Sequence, residues 1–111
     1  MRNLLVAVAA FLFASSAMTA EVGRLELPAG DVVVLHDDTG GVCPPETFQV
    51  FYHVGNSPAA VKAGMAGVAI PGCWVSRAPN VHMQFVDGDS GAVKIDNITW
   101  EAGKKPAAYV L

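Results

Sequence analysis

The chain has 111 residues, with 7 Lys and Arg against 10 Asp and Glu and a formal net charge of −3. That balance disfavours nucleic acid and anionic membranes as partners, because phosphate recognition relies on clustered Lys and Arg, and the only adjacent basic pair is Lys104–Lys105. The length suits one domain and is too short for two.

At the amino terminus Arg2 precedes the apolar run from Leu4 to Ala14 and the small-residue stretch from Ser15 to Ala20, the layout of a secretory signal peptide. The run has 11 residues, whereas a spanning helix needs roughly 20. The expected organisation is a signal peptide over 1–20, cut after Ala20 or alternatively Ala17, and a single β-rich domain over 21–111. The expected location is periplasmic or secreted, with no stable membrane anchor once the signal is cleaved. Removal of Arg2 leaves 6 basic residues against the 10 acidic ones.

Beyond the signal, 11 glycines and 7 prolines cut the apolar text into short pieces that favour strands over helices. Val22–Leu27 and Asp31–His36 flank Pro28-Ala29-Gly30, a turn signal between paired strands. Asp37–Pro45 is a loop, its two prolines unable to donate ladder hydrogen bonds. From Thr47 to Val54 the period is two, which predicts a strand with a short helix as the alternative: Phe48, Val50, Tyr52 and Val54 share one face, and Gln49, Phe51 and His53 the other. A short helix is predicted over Ser57–Ala63, with Asn56 or Ser57 as cap, Pro58 near the first helical position and Gly64 as stop. An extended run over Gly67–Val75 is broken at Pro71-Gly72, an alternating run follows over Asn80–Val86, and Ala92–Trp100 supplies the returning strand. The predicted fold class is mainly β, a small antiparallel sandwich or barrel-like sheet with at most one short helix.

The two cysteines, Cys43 and Cys73, are expected to form one disulfide in an oxidising compartment. Closing a loop of that length is worth roughly 3 to 4 kcal/mol in the chain-entropy estimate. Redox centres favour Cys-X-X-Cys and zinc needs about four ligands, so neither spacing nor number points to those chemistries. Trp74 is expected in the core, packed on the bridge. Asp87-Gly88-Asp89 between two alternating runs reads as a tight turn requiring positive φ. As a calcium loop it lacks the alternate oxygen ligands and the closing Glu.

The order Gly72-Cys73-Trp74, the alternating run Val81–Val86, and Asp87-Gly88-Asp89, with the earlier Cys43 and a signal peptide, resembles a group of small exported proteins of bacteriophages and proteobacterial prophages. The likeness covers Cys43 to Trp100; the extension Glu21–Gly41 and the alanine-rich text between the cysteines depart from it. It implies an exported one-disulfide domain and no established activity.

Catalytic signals are weak. His36 precedes Asp37-Asp38, but adjacent strand residues point to opposite faces. Ser57, Ser76 and Ser90 lie in loop text without a strained elbow, and the thiols are expected to be oxidised. No metal or other cofactor, and no catalytic residue, is assigned; His53 and His82 fall on polar faces. Asn97-Ile98-Thr99 matches a glycosylation sequon inside a predicted strand. The expected function is a non-enzymatic binding or inhibitor module of the bacterial envelope with a protein partner. The alternative is a structural or accessory part of a phage or envelope assembly. By strand alternation Phe51 and Trp100 fall opposite the apolar faces and are expected to form a modest exposed interaction patch, the alternative being that a bulge or the short helix buries one of them.

Overall fold

The computed structural model describes residues 21–106, so the signal-peptide reading over 1–20 lies outside the described residues. Seven strands follow in order: β1 (Glu21–Glu26), β2 (Val32–His36), β3 (Phe48–His53), β4 (Ala69–Arg77), β5 (Asn80–Phe85), β6 (Ser90–Lys94) and β7 (Thr99–Trp100). One helix, α1 (Pro58–Lys62), lies between β3 and β4, and a 3-10 turn, Ile95–Asn97, separates β6 from β7. The helix is the predicted one. The Ser57 hydroxyl accepts the Ala60 N–H at 3.1 Å, Pro58 opens the first turn, and the chain leaves through Gly64 at φ 73°.

All paired strands are antiparallel, in the order β6-β5-β4-β3-β2-β1-β7. The connection from β6 to β7 shows that this sheet is curled. Strands lie about 4.8 Å apart, so a flat sheet would hold its outer strands about 29 Å from each other. From Lys94 to Thr99 the chain reaches at most about 18 Å. The sheet therefore bends round until β6 approaches β1, the barrel-like form of the predicted β architecture. The upper end carries the β1–β2, β3–β4 and β5–β6 connections; the lower end carries β2–β3, β4–β5 and the 3-10 turn.

Alternation builds the core inside this curl. Val22, Val33, Leu35, Val50, Trp74, Val81, Met83, Ile95 and Ile98 form one buried cluster, with Leu35, Val50, Val81 and Ile95 wholly enclosed. Burying an aliphatic side chain of this size is worth about 1.5 to 3 kcal/mol. Pro71 does not break β4, contrary to the sequence expectation. Its missing donor would point toward β5 opposite Val86, just past the end of that strand, and its carbonyl still accepts the Val86 N–H at 3.0 Å.

Cys43, in the β2–β3 loop, is joined to Cys73 on β4 by a disulfide with Cα atoms 5.7 Å apart. Trp74 is buried and its indole N–H donates to the His36 carbonyl at 2.8 Å. It does not pack on the bridge as expected. Adjacent residues of a strand project to opposite faces, so Trp74 enters the core, where Phe48 and Trp100 meet its ring, while Cys73 faces outward.

The returning strand is also corrected. β6 stops at Lys94, and the 3-10 turn resets the alternation so that Ile95 and Ile98 are both buried. Trp100 then turns inward, its ring centroid 5.9 Å from that of Trp74 and its Nε1–H bonded to the Ile95 carbonyl at 2.9 Å. Gly23 makes room for it: a Cβ there would lie 2.9 Å from the Trp100 ring.

Candidate functional site

The exposed patch of Phe51 and Trp100 is not assembled. Phe51 lies half-buried on the outer face of β3, between the rings of His36, 5.2 Å away, and His53, 6.4 Å away, and beside Val34. Trp100 packs against the inner cluster. The physical reason is the 3-10 turn: counting alternation straight through Lys94 to Trp100 puts the indole on the wrong side of the sheet.

The other singled-out residues are spread over the molecule. Ser57 caps α1, and His82 lies on the outer face of β5, along an open groove beside the disulfide. Asn97 and Thr99 sit in the 3-10 turn and β7. Lys104 and Lys105 pair with Asp37 at 3.7 Å and Asp96 at 2.8 Å, drawing the segment after β7 to the lower end. Among the described residues no group of three or more His, Cys, Asp or Glu side chains converges to hold a metal ion. No helix among them is long and apolar enough to cross a membrane.

What sequence reasoning missed is at the upper end. β7 is only two residues long and pairs with the lower part of β1, at Gly23 and Arg24. Above it no strand of the described residues bridges the facing edges of β1 and β6. A cavity of about 570 Å³ fills this region. Leu25, Val33, Met83 and Val93 line its wall from the strands, Ala60 and Met65 close it from the helical connection, and Tyr52 and Phe85 stand across it with rings 6.0 Å apart, edge to face. The lining is mostly apolar with a few convergent polar groups, the usual make-up of a small-ligand site. Four of the five large apolar side chains left exposed, Val61, Met65, Val68 and Val86, surround this same end in the α1 and β5–β6 connections.

Three carboxylates, Asp31, Asp87 and Asp89, reach the rim. Asp31 is held by two donors, the Tyr52 hydroxyl and the Gly55 N–H, the latter at 2.7 Å. The Tyr52 hydrogen bond, followed by the Gly55 one, lowers the Asp31 pKa below its ordinary value of 3.8. The same bond, aided by burial, pushes the Tyr52 hydroxyl up from 10.0 to about 12. Asp87 and Asp89 belong to the predicted turn: Gly88 has φ 96°, Phe85 N–H donates to the Asp89 carbonyl at 2.8 Å, and the Asp87 carboxylate accepts the Asp89 N–H at 3.0 Å. These residues form a turn, and it sets two acids beside an apolar opening.

A second feature, unpartnered among the described residues, is the outer edge of β6. Phe85 donates to Asp89, and Ile95 donates to the Pro79 carbonyl at 2.9 Å. With the two-residue alternation of antiparallel ladders, Gly91 and Val93 therefore bond to β5, while the backbone groups of Ser90, Ala92 and Lys94 point away from it. No family model, curated protein or solved structure matches the chain.

Proposed function

We propose that this chain is a small exported binding domain without catalytic activity, and that its binding element is the apolar cavity under the upper rim. The observation that carries the reading is the unfilled seam between β1 and β6, ringed by exposed apolar side chains. The signal-like amino terminus and the disulfide support export. The neutral fluorophore N-phenyl-1-naphthylamine is expected to bind the folded protein saturably at one site, with a rise in emission. Ala60→Trp, which fills the cavity from α1, is expected to abolish that rise. A folded wild-type protein that shows no saturable enhancement, or an Ala60→Trp protein that binds unchanged, overturns the reading.

The protein-partner reading has its own support in the outer edge of β6, where unpaired backbone groups invite strand addition by another chain. The same edge would serve the assembly alternative if the added strand came from a second copy. Ala92→Pro tests both, since the Ala92 N–H points away from β5 and its loss leaves that ladder intact. A specific envelope partner, or a dimer by light scattering, that persists in Ala92→Pro overturns this second reading.

A further inference from the structure

The charge around the cavity specifies its ligand more narrowly, an inference that rests on the cavity being the binding element. Asp31, Asp87 and Asp89 line it, and none of the six cationic side chains of the described residues does. Three of the six are engaged elsewhere: Arg24 with Glu21 at 3.1 Å, Lys104 with Asp37 and Lys105 with Asp96. Lys94 and Arg77 lie at the lower ends of β6 and β4. Lys62 belongs to α1, but the residues of that segment lining the cavity are the alanines and Met65. The upper rim therefore carries anionic charge with no cationic side chain of the described residues in its lining, and directly behind it lies an apolar chamber.

Two of the three acids are held by hydrogen bonds. Asp31 spends both carboxylate oxygens on Tyr52 and Gly55, which fixes its charge beside the Tyr52 hydroxyl. Asp87 is tied through one oxygen to its own turn, leaving the other free, and Asp89 follows two residues later on the same turn. A neutral apolar ligand would leave the exposed Asp87 and Asp89 carboxylates to water alone, and an anionic one would meet their repulsion. We infer that the cavity takes a cationic amphiphile, a small molecule whose apolar body enters between β1 and β6 and whose ammonium or guanidinium head remains at the Asp31, Asp87 and Asp89 rim.

Three twelve-carbon probes, dodecyltrimethylammonium, dodecyl maltoside and dodecyl sulfate, each held below its micellar concentration, test this by displacement of N-phenyl-1-naphthylamine from the full chain. Near-ultraviolet circular dichroism follows the fold throughout. The cationic probe is expected to displace the fluorophore at about tenfold lower concentration than the neutral one, equivalent to about 1.4 kcal/mol, with the anionic probe weakest. Asp87→Asn with Asp89→Asn is expected to erase most of that preference by weakening displacement by the cationic probe. Tetramethylammonium, the head without the body, is expected not to displace. Equal displacement by all three probes, or a cationic preference untouched in the double variant, overturns the charge inference and leaves the cavity reading standing. A protein that binds the fluorophore in neither wild-type nor variant form removes the cavity reading itself.

Discussion

The Asp31–Tyr52 pair shows how a single contact links the fold to the site. Asp31 follows the β1–β2 turn and Tyr52 lies on β3, so their hydrogen bond, together with Asp31 to the Gly55 N–H, ties three upper segments together. Both pKa shifts convert into stability with opposite pH dependence. Asp31 is lowered, so its contribution is present above the pKa it has in the unfolded chain and is lost as pH falls through the folded value. Tyr52 is raised, so its contribution is whole below pH 10.0 and is lost as pH climbs toward about 12. Tyr52→Phe is expected to cost about 1 to 2 kcal/mol at neutral pH. Denaturant melts of that variant should lose less stability over the alkaline interval than those of the wild type. Equal alkaline slopes for the two proteins would show that the pair does not form.

At the scale of elements, the disulfide and β6 carry opposite expectations. The bridge pins the long β2–β3 loop, outside regular secondary structure from Asp37 to Thr47, to the centre of β4. Cys73→Ser is expected to lower stability by about 2 to 5 kcal/mol, measured by denaturant unfolding. The native protein should have an intact mass two hydrogens below the reduced one. Free thiols in native material would refute the bridge and the export argument together. Among the described residues β6 is paired on one side only, so hydrogen exchange should divide it by residue. Gly91 and Val93 amides are expected to be protected through β5, and those of Ser90, Ala92 and Lys94 to exchange rapidly. Uniform protection along β6 would mean that its outer edge is covered, by another copy or by a segment of the chain, and would remove the surface proposed for strand addition.

For the molecule as a whole, the decisive contact is the one that closes the curl. Five of the six strand pairings join neighbours in sequence; only β1 with β7 spans nearly the full domain. Contacts of large sequence separation carry the greater loop-closure cost and are disfavoured early in folding. Gly23→Ala places a methyl group against the Trp100 ring, which must shift or tilt. Overpacking of this kind costs about 1 to 3 kcal/mol. Because the β1–β7 contact forms late, the loss is expected chiefly as faster unfolding with little change in the refolding rate. A variant that refolds more slowly by the full amount would place the β1–β7 closure in the folding nucleus instead.

Local chemistry settled a good part of this protein. Period-two alternation in Thr47–Val54 and Asn80–Val86, and the turn signal before Asp31–His36, marked strands that the structure contains, and Ser57, Pro58 and Gly64 bounded the helix within a residue. The paired cysteines and the Asp87-Gly88-Asp89 turn were legible for the same reason: each depends on few residues and on compartment or backbone conformation. The inside and outside of the last strand were not legible, since a three-residue 3-10 turn shifts the phase of alternation and Trp100 follows it inward. Nor was the site. Asp31, Tyr52 and Asp89 belong to three different connections and strands, and nothing in their spacing joins them. Only the curl of the sheet, drawn round by the short β6–β7 link and left unfilled above a two-residue β7, brings them to one apolar opening. Alternation is a property of neighbours along the chain, whereas a seam is a property of where the two ends of a sheet meet.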